Sequence, residues 1–304
     1  MKMNIPITQS EDWKKLQDDL RETSFLVQGS DYQYLAILKA TPLGNYLYLP
    51  YGPVTENKKS FENALKSLKN LAKKEKAFFI RIEPTDESAK NYFPNNTKKS
   101  KDLNPKETWV LDLKGTDDEL KDKLPSRLLR YYRNAEKNGL KIETSKNPED
   151  IEYLLDLQKA LADKKGINTF SENYLKTELS QPFATLYLLK HEGEVIASGL
   201  VFDYGKTRYN LQGAQNDLGR KLHGTGILTI KLILDAKELG YELFDFWGIA
   251  PDDAPDNHPW KGFTNFKKTF AGYEVKHAGT YDIILNPIRY KLYSIFRKIN
   301  RLIH

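Results

Sequence analysis

Four stretches of this chain carry residue types that could do chemistry. The first is arginine-rich. Arg127, Arg130, Arg133 and Lys137 recur at i, i+3, i+6 and i+10, and one helix over Ser126–Asn138 would put them on a shared face. Tyr131 and Tyr132 flank it. Positive charge beside aromatic rings suits phosphate contact and stacking on an unpaired nucleic-acid end, although a solvated helix face has the same composition. The second stretch is Arg220-Lys-Leu-His-Gly-Thr-Gly226. Free N–H groups opening a helix there could cradle a pyrophosphate, or the glycines could serve only a tight strand-to-helix turn. The third is Glu83, at a strand end before Pro84. A carboxylate there can take a proton or orient an amine, or it can bond its own loop. The fourth is Phe266-Lys267-Lys268 on a helix expected over Trp260–Phe270. By position alone Lys267 reads as a surface lysine.

Composition removes several alternatives. There is no cysteine, which excludes disulfides, thiolate metal sites and cysteine nucleophiles. The five histidines show no H-E-x-x-H or comparable ligand spacing, so no metal site is expected. No organic cofactor is implied either. The formal net charge of +6 favours anionic partners, or reflects only a lysine-rich solvated surface. The N-terminus has no apolar signal region, and no segment approaches the roughly 18 apolar residues of a membrane span. A cytoplasmic location is expected.

These residues must be positioned by two α/β units, since 304 residues suit two domains of about 100–200 each. Helix Ser10–Arg21, strands at 25–28, 34–40 and 46–49, helix Ser60–Lys76 and strand Ala77–Ile82 make the first. A boundary falls near Pro105. The second holds helices at 117–124, 126–138 and 147–165, the last ended by Gly166, and a short helix at 172–178. Strands at 184–191, 195–203 and 207–214 follow, then helix Gly226–Leu239, strand Leu243–Trp247 and a late strand from Val275 to Leu285. This gives units over 1–106 and 107–285, with a tail, 286–304, that can pack back on the first. Both units run helix, strands, long helix, strand, and the second has the order of an N-acetyltransferase-like domain. The tail carries an apolar stripe, Ile288, Leu292, Ile295, Phe296, Ile299 and Leu302, beside Arg289, Lys291, Arg297, Lys298 and Arg301. Such a helix can lie on an anionic bilayer or pack back with its basic groups in solvent.

Several motifs occur in one order along the chain: Gln9-Ser10 with Trp13-Lys14-Lys15; Tyr48-Leu-Pro-Tyr-Gly-Pro53; Phe79-Ile-Arg-Ile-Glu-Pro84; the basic segment Ser126–Gly139; Tyr241-Glu-Leu-Phe-Asp-Phe-Trp-Gly-Ile-Ala250; and His258-Pro-Trp-Lys-Gly-Phe-Thr-Asn-Phe-Lys-Lys-Thr-Phe-Ala-Gly272. Together they resemble the FemABX peptidyltransferases, which build peptidoglycan cross-bridges. The resemblance spans nearly the whole chain. It departs at Ala271, where a glycine is usual, and at Phe170, where some members carry a phosphate-holding arginine.

The resemblance implies a tandem pair of GNAT (N-acetyltransferase)-like domains with mixed α/β sheets and, as in the shorter FemX-like members, no coiled-coil arm. It implies transfer of glycine, alanine or serine from aminoacyl-tRNA to the stem-peptide amine of lipid II or UDP-MurNAc-pentapeptide, with no covalent intermediate. Lys267 would stabilise the oxyanion or donor carbonyl, Phe266 beside it would bind substrate, and Glu83 would deprotonate or orient the amine. Lys15, or its neighbour Lys14, would meet acceptor phosphate, and Tyr174 and Tyr209 the peptide or sugar. Arg127, Arg130, Arg133 and Lys137 would take tRNA. Apart from the resemblance, the bilayer reading of 287–304 would bring the protein to the inner face of the membrane, and the packed-back reading would not. The rival readings are an acetyl-CoA-dependent GNAT acyltransferase and a non-catalytic tRNA- or precursor-binding module.

Overall fold

Two mixed sheets, each with a long helix joining a parallel pair of strands, organise the chain. This computed structural model describes residues 4–165 and 170–303; residues 166–169, expected to close one helix and open a substrate-binding stretch, lie outside them. In chain order the elements are α1 (Glu11–Asp19), β1 (Ser24–Gln28), β2 (Tyr32–Thr41), β3 (Gly44–Leu49), β4 (Val54–Thr55), α2 (Lys58–Lys74), β5 (Ala77–Ile82) and β6 (Thr97–Lys99). Next come β7 (Glu107–Asp112), α3 (Asp117–Lys123), α4 (Ser126–Arg133), β8 (Leu140–Ser145), α5 (Ile151–Lys165) and α6 (Glu172–Leu179). Then follow β9 (Ala184–His191), β10 (Glu194–Tyr204), β11 (Thr207–Gln215), α7 (Asp217–Lys221), α8 (Gly224–Glu238) and β12 (Leu243–Gly248). The chain ends with α9 (Lys261–Lys267), β13 (Tyr273–Lys276), β14 (Tyr281–Ile284) and α10 (Pro287–Ile303). No helix among the described residues is long and apolar enough to cross a membrane.

The first unit comprises residues up to Lys106 together with those from Lys276 on. Its sheet runs β1-β2-β3-β5-β14-β6, with β4 on β2. β3 and β5 are parallel and joined through α2. That helix forms because Asn57 and Ser60 close a reciprocal capping box and Phe61, Ala64, Leu65, Leu68 and Ala72 repeat at helical spacing on its buried face. The second unit is Glu107–Val275. Its sheet runs β13-β7-β12-β11-β10-β9-β8, with β11 and β12 parallel and joined through α7 and α8. β14 pairs antiparallel with β5 in the first sheet, as β7 pairs with β12 in the second.

This arrangement corrects two expectations. The late strand from Val275 to Leu285 is in fact β13 and β14, in different sheets, so the second unit ends at Val275 and not at residue 285. The break falls where Gly279 takes a left-handed φ of 85°. There the Thr280 N–H donates to Asp102 Oδ1 at 2.7 Å, and the His277 and Ala278 N–H groups donate to the Lys106 and Pro84 carbonyls. The helix expected over Ser126–Asn138 stops at Arg133, and Lys137 lies in a separate single turn, Glu136–Asn138, before left-handed Gly139. Lys137 therefore does not share the helical register of Arg127, Arg130 and Arg133.

α10 packs on the first sheet through Tyr290 and Tyr293, which meet Phe78, Phe79 and Ile284. A buried clamp fixes its seating. Arg81 donates through Nε and Nη2 to the two oxygens of Asp282 at 2.7 and 2.8 Å, and the Tyr290 hydroxyl donates to Asp282 Oδ2 at 2.8 Å. The two-pronged pair fixes the Asp282 carboxylate, and the Tyr290 bond to it together with the burial of Tyr290 and Tyr293 sets which face α10 turns outward.

Candidate active site

In the second unit, β12 carries Asp245-Phe-Trp-Gly248 to its C-terminal end, where its pairing with β7 breaks register between Asp245 and Gly248. Trp247 sits in the left-handed region at φ 66°. A bulky residue held there costs on the order of 1–3 kcal/mol, and such strain concentrates at functional sites. The turn is pinned by the Trp247 N–H, which donates to Asp245 Oδ1 at 2.7 Å. It exposes the Gly248 carbonyl to Lys267, whose Nζ donates to it at 2.6 Å. Burial pushes the Lys267 ammonium down to about 8, opposed by the charge of Asp245. Burial pushes the Asp245 carboxyl up to about 6, opposed by its bond from Trp247 and by Lys267. The half-buried lysine is thus a cation held in a poorly solvated place by one carbonyl, near the charge of Asp245.

α9 delivers that lysine. Phe266 packs against Phe270 and the core of the second unit, which seats the helix, so its ring is an anchor for its neighbour. Gly272 closes the segment against β7: a Cβ there would lie 2.4 Å from the Val110 carbonyl oxygen. Tyr209 stands opposite Asp245 in the parallel ladder, with its ring edge-on to Trp247 at 6.2 Å. Burial first, and Asp245 second, raise its phenol above the ordinary value. Lys267, Asp245, Tyr209 and Trp247 therefore form one cluster. Tyr174, on α6, stacks with Phe170 at 5.1 Å and hydrogen-bonds the buried Glu178. Gln212 Nε2 donates to Glu178 at 3.3 Å. Leu211 is an extra residue in the β10–β11 ladder, and this bulge brings Gln212 to the same face of β11 as Tyr209.

In the first unit Glu83 is buried, and its two oxygens accept from Tyr48, the Asn104 side chain, the Leu103 and Asn104 N–H groups and Thr280, at 2.5–3.3 Å. A carboxylate so fully engaged holds the 103–104 loop to the sheet. Gln9 is buried as well: its amide donates to the Pro50 carbonyl and accepts from the Leu35 N–H, and a Cβ on Gly52 would lie 2.4 Å from it. Gln9 and the cap Ser10 thereby seat α1, on which Lys14 pairs with Asp18 at 2.7 Å. Lys15 is exposed and forms no ion pair among the described residues.

On α4, Arg127 and Arg130 both lie over the Tyr131 ring, and Arg127 Nε donates to the Tyr131 hydroxyl at 2.7 Å. The same ring stacks on His223, with the centroids 4.2 Å apart and the planes nearly parallel. The first turn of α8 is tightly packed. A Cβ on Gly226 would lie 2.6 Å from Leu128 Cδ2, and the Thr225 N–H already serves the Gln215 side chain. These glycines admit side chains of α4, β9 and β10, which accounts for them by close packing.

The model of the FemAB family matches residues 6–103 and 182–298. This chain belongs to the FemAB family. A lipid II:glycine glycyltransferase of Staphylococcus epidermidis is 25% identical over 314 residues, covering 78% of this FemAB protein and 75% of its relative. Its namesake in Staphylococcus aureus is 23% identical, with 81% and 78% covered. The crystal structure of FemX matches with a TM-score of 0.81 at 20% identity over 96% and 95% of the two chains. A tandem GNAT protein from the clavulanic acid pathway matches at 0.51 and 14% identity, with 87% and 83% covered. The FemAB fold here is accordingly a tandem pair of GNAT-like domains, with no coiled-coil arm among the described residues. Lys15, Glu83, Tyr209, Phe266 and Lys267 fall inside the matched segments, whereas α4 and Tyr174 lie between them.

Asp245, beside Lys267 in the second unit, and the buried Gln9 of the first are residues that the patterns did not single out. Asp245 was concealed inside what reads as a buried strand. Gln9 stood in a motif with nothing to show that both ends of its amide are used.

Proposed function

We propose that this FemAB protein is an aminoacyltransferase that moves an amino acid, glycine foremost, from aminoacyl-tRNA to the stem-peptide amine of a peptidoglycan precursor. The glycyltransferase relatives support the glycyl group and a lipid II acceptor. The observation that carries the chemistry is the Lys267 ammonium, held by the Gly248 carbonyl beside Asp245. In the reaction the acceptor amine attacks the ester carbonyl. A C–N bond forms, the C–O bond to ribose breaks, and the proton lost by the amine ends on the ribose oxygen. The intermediate between these events carries an oxyanion. A fixed ammonium in a poorly solvated site stabilises that charge with little reorganisation. Tyr209, beside the lysine, and Tyr174 would contact the acceptor, Lys15 its phosphate, and α4 the phosphates of the donor.

The test is transfer from a mixed pool of labelled glycyl-, alanyl- and seryl-tRNA to lipid II and to UDP-MurNAc-pentapeptide. Label should reach one of these acceptors, and Lys267→Ala should cost about 100- to 1,000-fold in kcat while still melting cooperatively. A fully active Lys267→Ala protein, or acetyl transfer from coenzyme A in place of aminoacyl transfer, would overturn the reading.

A further inference from the structure

The helix α10 presents two faces with different fates. Tyr290 and Tyr293 are buried against Phe78 and Phe79. On the opposite side Ile288, Leu292, Ile295 and Phe296 are 75%, 51%, 46% and 40% exposed. Their spacing, i, i+4, i+7 and i+8, makes one continuous stripe. Scattered exposed apolar residues are ordinary, but four on one helical face form a patch that water solvates poorly. The stripe is not free to turn inward, because the Arg81–Asp282–Tyr290 clamp holds the helix by its other side.

The charge of the helix identifies what covers the stripe. Its seventeen residues include five basic ones, Arg289, Lys291, Arg297, Lys298 and Arg301, and no Asp or Glu. That is five charges against a net +6 for the whole chain. Arg289 and Lys291 fall on either side of the stripe on the helical wheel. Their stems can lie along an apolar surface while the charged ends reach a polar boundary. A second copy of the chain would set one such helix against another and bring like charges together. An apolar stripe edged by cations fits a surface that is apolar below and anionic at its boundary. We infer that the outer face of α10 docks on an anionic lipid bilayer, with the stripe in the headgroup–acyl boundary and Arg289 and Lys291 at the headgroups. This docking stands apart from the transferase reading. Where both hold, it brings the enzyme to the surface in which a lipid-linked acceptor resides.

The experiment is co-sedimentation of the full-length protein with vesicles of pure phosphatidylcholine and of phosphatidylcholine mixed with phosphatidylglycerol, at low and high salt. The protein should pellet with the anionic vesicles, and less so at high salt. The combined variant Leu292→Ser, Ile295→Ser, Phe296→Ser and the charge reversal Arg289→Glu, Lys291→Glu should each weaken binding at least tenfold. Circular dichroism melts of both variants should match the parent, because none of these side chains lies on the packed face. Wild type that stays in the supernatant with both vesicle types would overturn the inference. So would equal binding to neutral vesicles that the charge reversal leaves unchanged. A dimer in sedimentation velocity without lipid, dissociated by the three serine substitutions, would show that a second copy covers the stripe and would also overturn it. Absence of aminoacyl transfer would leave the vesicle result standing, so the two readings fail separately.

Discussion

Burial shifts both Asp245 and Lys267, each charge opposing the shift of the other, and the consequences differ for activity and for stability. Transfer requires the ammonium, so the rate should fall as pH rises through about 8, the value to which burial lowers Lys267. In Asp245→Asn the charge opposing that lowering is gone. The alkaline limb of kcat/KM against pH should move to lower pH, and a profile identical to the parent's would remove Asp245 from the site. Stability runs the other way from a surface ion pair. Between about 8 and 10.5 the native lysine binds fewer protons than the unfolded one, so its contribution to stability rises with pH there. Between 3.8 and about 6 the native aspartate binds more protons than the unfolded one, so its contribution falls as pH rises. Both groups cost stability when charged, as expected of charges kept for chemistry. Glu83 is the contrasting case. The hydrogen bonds it accepts from Tyr48, Leu103, Asn104 and Thr280 should show as stability. Glu83→Gln replaces an acceptor with a donor against donors and should cost roughly 3 kcal/mol. A thermal melt checks this, alongside the rate per folded molecule, which should stay within tenfold of the parent. A Glu83→Gln protein with an unchanged melting temperature and no transfer would make Glu83 the base instead.

At the scale of elements, what the residues disclosed was what local rules govern. α2 was legible because a capping box and an apolar period of 3.6 act within one turn of each other, and α8 because its apolar run ends at Gly240. The α4 boundary was not. Arg127 to Lys137 can be drawn on one helical face, yet the chain leaves the helix at Asn134, whose N–H still reaches the Arg130 carbonyl. The bulge at Leu211 was also out of reach, since it exists only in the pairing of β10 with β11. The corrected α4 sharpens the donor-site prediction. Arg127→Glu, Arg130→Glu and Arg133→Glu together should raise the tRNA dissociation constant at least tenfold. They should also flatten its salt dependence by about 0.7–0.9 in log–log slope for each phosphate no longer neutralised. Lys137→Glu, off that register, should do much less. Filter binding at several salt concentrations measures all of these, and equal effects from the triple change and from Lys137→Glu would argue for a diffuse charge effect.

At the scale of the whole molecule, the doubled order of elements was visible in the residues, but the path of the chain was not. Nothing local in Val275–Leu285 shows that its two ends join different sheets: the segment is continuously strand-like, and only Gly279 interrupts it. The consequence is that the first unit is incomplete without the C-terminus. β14 lies between β5 and β6, its Asp282 neutralises the buried Arg81, and its neighbour Thr280 bonds Glu83. Ending the chain at Val275 would expose the β5 edge, leave Arg81 buried without its carboxylate and strip Phe78 and Phe79 of their cover. An unpaired buried charge alone costs about 3–5 kcal/mol, a large share of the ~5–15 kcal/mol that holds a domain together. A chain of residues 1–275 should therefore lose the cooperative melt of the first unit and aggregate through its open edge, while the second unit, continuous over Glu107–Val275, keeps its own transition. Supplying residues 276–304 as a separate peptide should restore the missing transition. A 1–275 chain that melts like the full-length protein would mean that β14 decorates the first sheet without completing it.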